Sequence, residues 1–408
     1  MTPVVERAPA ESESYSGLLS LICAAHCVSH FYILMLAPLF PIIKAEFGVS
    51  YTELGFALLA FNLTSAVFTP PAGYLVDRSG ARAVLVGGLF LGAVALAGAS
   101  VLPSFWGFVA MFALLGLGNT VYHPADYALL SRKIPAPRMG QAYALHTFSG
   151  MVGSAAAPPV LLLLANIYGW RGAYLAASGA GFAVAALLML FGRVLAGPPA
   201  APGEGKTTAQ ANSGGDKRLL LTAPVLLNLA IFVFLAMMTA GISNYSVAAL
   251  AALHGTPLAV SNVGLSIYLA LSALGVLLGG FIAVRTARHD LAAIASLVVF
   301  ASAILLIGFV DLGTALLFAV LAVAGACNGV IMPSRDMLVR AVTPPGAFGR
   351  VFAFVTNGFN IGGIITPLVF GWLLDHGNPR AVFIAAAAFS LVAIVMVVLN
   401  SPRRRGER

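Results

Sequence analysis

Residues 83–102 read AVLVGGLFLGAVALAGASVL, twenty positions without a single charge. An α-helix rises about 1.5 Å per residue, so this run is about 30 Å long, the thickness of a bilayer's hydrocarbon core. A membrane strand needs only about ten residues of alternating character, and that alternation is missing. Working outward on both sides, comparable runs fall at 17–43, 53–76, 105–130, 140–165, 172–193, 219–246, 259–284, 290–310, 314–338, 350–373 and 381–400. With the first, they predict an all-α integral membrane protein of twelve transmembrane helices.

Composition agrees. Of 408 residues, 60% are hydrophobic and 9% charged, and the mean hydropathy is +0.96. Soluble domains average about 25% charged residues, so the solvent here is lipid and a soluble enzyme is excluded. The chain also lacks a Gly-x-x-x-x-Gly-Lys nucleotide loop and any water-facing catalytic triad, so neither an enzyme nor an ATP-driven pump is expected.

The net charge of +8 comes from 22 Lys and Arg against 14 Asp and Glu. With both termini cytoplasmic, 19 of the 22 basic residues fall on the cytoplasmic side, and only Lys44, Arg171 and Arg380 lie opposite. That asymmetry sets the orientation by the positive-inside rule and removes the basic excess as a sign of nucleic-acid binding. Residues 1–16 are polar and acidic, without the basic start of a secretory signal, and are expected to remain as a cytoplasmic tail. Residues 194–218, opening on Gly197-Pro-Pro-Ala-Ala-Pro-Gly203, read as a flexible cytoplasmic linker between a bundle over 17–193 and a bundle over 219–400. Residues 401–408 form a basic tail. Cys23, Cys27 and Cys327 all lie within spans, so no disulfide framework is implied.

The two bundles are related. A shift of 209 positions superposes Gly116 on Gly325, Asn119 on Asn328, Pro124 on Pro333, Gly153 on Gly362, Pro158 on Pro367 and Arg171 on Arg380. A shift of 207 pairs Gly73 with Gly280 and Arg78 with Arg285. Identities at Gly, Pro and Asn recur because those residues set backbone geometry. Parallel six-helix repeats place a substrate path at their interface.

The segment Gly73-Tyr-Leu-Val-Asp77-Arg78-Ser-Gly80-Ala-Arg82 resembles the motif between helices 2 and 3 of the major facilitator superfamily. Its second copy, Gly280 to Arg288, lacks the acidic residue. Gly116-Leu-Gly-Asn119-Thr-Val-Tyr122-His123-Pro124 and Gly150-Met-Val-Gly153-Ser-Ala-Ala-Ala-Pro158 resemble the fosmidomycin-resistance branch. Ala125-Asp126 stands where that branch has Pro-Glu, and Ala157 replaces the glycine before the proline. The resemblance implies alternating access by a monomer, a cavity lined by helices 1, 4, 7 and 10, and a cytoplasmic latch. Asp77, Arg78, Arg82 and Arg132 are the latch candidates, with Arg132 as partner for Asp77. The Gly-x-x-Gly before Pro158 is similar to the antiporter signature of drug-efflux members, although generic close packing of helices would use the same glycines.

An ionisable group inside the membrane costs about 2.5–3.5 kcal/mol on insertion scales, so each one is a functional candidate. Away from the span ends these are His26, His30, His123, His146, Asp126, Arg335 and Asp336. All four histidines lie in the first bundle, which marks it as the protonation half, since imidazole titrates near neutral pH. His26 and His30 are four residues apart on the first helix. Asn119, Tyr122, His123 and Asp126 make a polar stripe on the fourth. His123, Asp126, His30 and His26 are therefore the proton-coupling candidates, against the plain alternative that each histidine only hydrogen-bonds a neighbouring helix. Asn119, Tyr122, His123, His146, Asn328, Arg335, Asn357 and Asn360 are the substrate-binding candidates.

Arg335 occupies the repeat position of Asp126. It can form a gating ion pair with Asp126 across the pseudo-twofold, supply charge to an anionic substrate, or pair locally with Asp336. Cys23, His26, Cys27 and His30 would suit zinc or copper by type, but four such groups along one helix span about 10 Å and cannot all close on one ion. No cofactor is expected beyond a proton gradient. The leading expectation is an inner-membrane, proton-coupled exporter of a small organic compound or drug, an anionic one among the options, working by alternating access. The alternatives are a proton-linked importer of an organic acid or sugar-like metabolite and, as a minor reading, a metal-ion transporter.

Overall fold

The computed structural model describes residues 9–134, 138–191, 217–344 and 347–400. Latch candidate Arg132, the linker up to residue 216 and the basic tail fall outside what it describes in full. Among the described residues there are fourteen α-helices and no strand: α1 (Pro9–Ile33), α2 (Phe40–Phe47), α3 (Tyr51–Ser79), α4 (Ala81–Val101), α5 (Phe105–Asn119), α6 (Tyr122–Lys133), α7 (Met139–Leu190), α8 (Ala223–His254), α9 (Leu258–Arg285), α10 (His289–Phe309), α11 (Gly313–Val342), α12 (Phe348–Thr356), α13 (Gly358–Asp375) and α14 (Pro379–Asn400).

Eleven helical segments are long and apolar enough to cross a membrane. One of them, Gln141–Leu190, has 50 residues. At about 1.5 Å per residue it would be about 75 Å long, more than twice a bilayer core. It is interrupted by Gly169, whose φ of 71° and ψ of 166° are open to glycine and strained for other residues. Divided there, the segments number twelve. The first crossing joins α1 and α2 through the short turn Ala37–Leu39, the fourth joins α5 and α6, and the eleventh joins α12 and α13.

The break in the fourth crossing has a local cause. Pro124 has no N–H to give the carbonyl of Thr120, and the Thr120 hydroxyl bonds back to Leu117 O at 2.7 Å. The expected single stripe from Asn119 to Asp126 is therefore split between two helices. Pro333, its repeat partner, lies inside the unbroken α11.

The repeat is visible in how the helices touch. Gly116 of α5 lies against the backbone carbonyl of Phe61 in α3, and Gly325 of α11 lies against that of Tyr268 in α9. The glycines are 209 residues apart and the carbonyls 207, the same two shifts that relate the halves of the sequence. Arg171 and Arg380, two of the basic residues on the minority side, also act alike. Arg171 donates to Ser100 O at 2.9 Å and Leu102 O at 3.2 Å, and Arg380 donates to Gly308 O at 3.1 Å. Each satisfies the open carbonyls at the C-terminus of a neighbouring helix, where positive charge is favoured. Arg171 is further held by Glu46 at 2.9 Å.

The halves meet where α3 packs on α13 and α7 on α9. Their cross-half hydrogen bonds, among the described residues, lie at one end. Asp375, closing α13, accepts from Tyr51 N (2.7 Å), Thr52 N (2.8 Å) and the Thr52 hydroxyl (2.6 Å) at the N-terminus of α3. That is the place where a helix favours an anion. Asn262 adds a bond to Pro38 O at 3.3 Å, and the rings of Phe40 and Tyr245 pack at 5.1 Å. The opposite end of α3, which carries Asp77 and Arg78, is exposed.

Two predictions follow from these contacts. Gly116→Ala and Gly325→Ala each push a methyl into backbone, and each should lower stability by about 1–3 kcal/mol in thermal unfolding of the detergent-solubilised protein. Gly87→Ala, with nothing within 4 Å of the new methyl, should leave it unchanged or slightly raised. Asp375→Ala should lengthen the distance between spin labels at Ala45 and Asn378; an unchanged distribution would show that the clasp does not hold that end shut.

Candidate functional site: a central cavity beside a buried histidine–carboxylate cluster

A cavity of about 290 Å³ lies between the halves. The second half supplies most of its wall, including Thr239, Ser243 and Asn244 from α8, Asn328 and Arg335 from α11, and Phe359 from α13. The first half supplies Asn62 from α3 and Ser154 from α7. Asn328 is held on both sides: Thr239 donates to its Oδ1 and its Nδ2 donates to Ser272, each at 2.9 Å. Asn62 and Asn244 give their amide hydrogens to Leu58 O and Ala240 O, which leaves their carbonyl oxygens as acceptors. Arg335 is buried with its guanidinium 4.3 Å from the Phe232 ring centre and 5.0 Å from that of Phe359. It pairs with Asp336 at 2.9 Å. Arg335 is the one cation in the described wall, and no carboxylate lines it.

Next to the cavity lies the cluster. Asp126 of α6 is fully buried, and its Oδ2 is 2.9 Å from His146 Nε2 of α7 and 3.4 Å from His26 Nδ1 of α1. The His26 and His146 rings stack with centres 3.7 Å apart. The His26 ring also packs on His30, with centres 4.6 Å apart, and edge-on against His123 at 5.2 Å. His123 is exposed and stacks on Tyr127, so the cluster runs from an accessible imidazole to a sealed carboxylate. One lone hydrogen bond ties it to the cavity, His30 Nδ1 to the Ser154 hydroxyl at 3.3 Å. Close approach of α1 and α7 makes this possible. Gly153 lies against the backbone of Cys27, and a methyl on Gly150 would come within 2.7 Å of His26 Cδ2 and 2.9 Å of His30 Cδ2.

Several expectations need correction. Asn119, Tyr122, His123 and His146 are not in the cavity wall; Asp126, on the helix that follows the break, faces His26 of α1 and His146 of α7 instead. Tyr122 is buried with its hydroxyl unpartnered. Asn357 and Asn360 are also absent from the wall and bond each other at 3.0 Å where α12 gives way to α13. Asn328 and Arg335 are in the cavity wall. Asp126 and Arg335 do not pair, since each has its own partners, and of the three roles read for Arg335 the local pair with Asp336 is formed.

At the other motif, Arg82 donates to Leu188 O and Met189 O, capping the end of α7. Asp77 makes no ion pair among the described residues, while its partnership with Arg132 lies outside them. Metal-type ligand atoms do converge, within 4.8 Å, but on His26, Asp126 and His146 from three helices rather than on the α1 stripe with Cys23 and Cys27. Asn62, Ser154, Thr239, Ser243, Asn244 and Phe359 were not anticipated. The amides among them carry a readable signal, a mid-span Asn, which a search confined to ionisable groups passes over.

The sequence profile of the Major Facilitator Superfamily matches residues 22–250 and 229–408, and the chain belongs to that family. The fosmidomycin resistance protein of Escherichia coli (strain K12) is 23% identical over 393 residues, 95% of this chain and 94% of that one. The probable L-galactonate transporter of the same organism is 28% identical over 133 residues, only 33% of this chain and 29% of that one. The fold is shared with a bacterial homologue of the human lysosomal transporter Spinster, solved inward-facing and unoccupied, at a TM-score of 0.77 and 16% identity over 97% of both chains. The protein is thus a multi-pass membrane protein whose relatives are transporters.

Gly150→Ala should displace the two imidazoles it would crowd. In histidine-labelled protein the nitrogen NMR signals of His26 and His30 should move. Those of His254 and His376, bonded to Ile307 O and Trp372 O, should not.

Proposed function

We propose that the chain is a secondary transporter that exports a small organic anion in exchange for protons. The observation that carries this reading is the adjacency of two sites: a cavity with one cation and no carboxylate in its described wall, and a sealed carboxylate among four imidazoles. Arg335 would bind the anionic end of the cargo, and the carbonyl oxygens of Asn62 and Asn244 would accept from its hydroxyl or amide groups. His123, Asp126, His26, His30 and His146 would carry the proton, His123 receiving it and Asp126 holding it. Pairing Asp126 with imidazoles lets the cluster gain or lose one charge without leaving a bare ion in a medium where that is costly. The halves would rock about the cavity, with the Asp375 clasp closing one end and the Asp77 to Arg82 region opening at the other.

Export is favoured because a relative matched along nearly its whole length is named for fosmidomycin resistance. The shorter match to a galactonate transporter supports import of an organic acid as the second reading. The charge asymmetry would place the Asp77 end and both termini in the cytoplasm of a bacterial inner membrane, with the protein acting as a monomer.

Reconstituted vesicles test this with fosmidomycin and L-galactonate under an imposed pH gradient. Proton-driven flux of one of them is expected. His123→Ala and Asp126→Asn should each lower it by about 100-fold, the low end of what a positioned acid–base group contributes. Coupled flux surviving in both variants would sink the assignment, and flux only toward the basic end would turn the reading to import.

A further inference from the structure

Ser154 is the one residue of the described cavity wall that hydrogen-bonds the histidine cluster. Its hydroxyl has one hydrogen to give. Its partner His30 offers a ring nitrogen that is either a lone pair or an N–H, according to protonation and tautomer. We propose that Ser154 sets cargo against proton: a cargo hydroxyl or amide that donates to Ser154 is held best when His30 keeps a bare lone pair on Nδ1. The inference rests on the anion-exporter reading and adds the residue through which cargo and proton oppose each other.

The direction of the hydrogen bonds gives the sign. With cargo bound, the chain runs one way, from the cargo N–H or O–H to Ser154 Oγ and from the Ser154 O–H to His30 Nδ1. Chains with a common direction polarise and strengthen one another. A protonated His30 carries hydrogens on both nitrogens, so Nδ1–H donates to Ser154 instead. Two donors then share one oxygen, their hydrogens repel, and the cargo's donor is held less well at that end of the cavity.

The other titratable or charged groups around His30 are His26 on its own helix, His123 and, behind His26, Asp126 on α6, His146 on α7, and Arg335 on the far wall from α11. None of them touches both the cavity and His30. Asn62, the other polar group that the first half gives the wall, gives one amide hydrogen to Leu58 O of its own helix and makes no hydrogen bond to the cluster among the described residues. Ser154 thus stands alone at the junction.

The test uses the full chain in detergent, with fosmidomycin as probe. Wild-type affinity should rise about fivefold as the pH rises through the His30 titration, the worth of one hydrogen bond. Ser154→Ala should still bind but lose that dependence, and Ser154→Thr, which keeps the hydroxyl, should restore it. A cargo-free measurement runs beside it: the histidine NMR titration of His30 should shift in Ser154→Ala and return in Ser154→Thr.

If Ser154→Ala binds with the wild-type pH dependence, or the His30 titration does not move, the inference is overturned while the exporter reading stands. Failure of that reading looks different. Fosmidomycin would then not bind the wild type at any pH, or would bind Arg335→Gln as well as the wild type, and the inference would fall with it.

Discussion

A carboxylate that no water reaches must be surrounded by partners, and the burial of Asp126 sets the terms for the first half of the molecule. Alone, an ionised Asp at that depth would be among the most costly features of the chain. His146 and His26 meet it from two other helices, and they can do so only because the backbones come unusually close. Gly150 and Gly153 supply that approach on α7, where any side chain would strike His26, His30 or the backbone of Cys27. Pro124 supplies the turn on the other side, since the break between α5 and α6 swings Asp126 toward α1 and α7. The glycines and the proline are thus part of the site's chemistry, although none carries a reactive group.

The same logic of approach governs the frame that holds the cluster. Gly116 and Gly325 let α5 and α11 rest on the carbonyls of α3 and α9 at equivalent points in the two halves, and Arg171 and Arg380 close equivalent helix ends. These repeated contacts lie within each half. Between the halves the hydrogen bonds among the described residues are gathered at one end, around Asp375. Such an arrangement suits the rocking of two bundles about the cavity that we propose.

The fold was legible because lipid imposes a coarse rule: runs of about twenty apolar residues become helices, and their number follows. The repeat was legible because Gly, Pro and Arg recur in register. The site was legible only in part. His26, His30, His123, His146 and Asp126 stood out as ionisable groups inside spans, and they do converge. Asn328 and Arg335 also reach the cavity. Asn119, Tyr122, Asn357 and Asn360 were misplaced because helical spacing assumes an unbroken helix, and both of their crossings break near them. Pro124 gave some warning of the first break. Its twin Pro333 sits in a continuous helix, so a proline alone does not decide whether a span is interrupted. Asn62, Asn244 and Ser154 escaped because neutral polar residues are common in membrane helices, and only the packing tells which of them face a void.

Duplication would by itself make the halves equal, yet Asp126 and Arg335 occupy the same repeat position with opposite charge. Had both halves kept an acid there, two carboxylates would flank one cavity and repel the same anion. Had both kept a base, the imidazoles would have lost the carboxylate they pair with. Opposite charges placed face to face would neutralise each other and bind neither proton nor cargo. The structure avoids this by turning Asp126 inward to its imidazoles and leaving Arg335 on the cavity wall between two phenyl rings, with Asp336 as a local counter-charge. Under the proposed reading the first would hold the proton and the second the cargo. Among the described residues the hydrogen-bonded path between them is His30 and one serine hydroxyl.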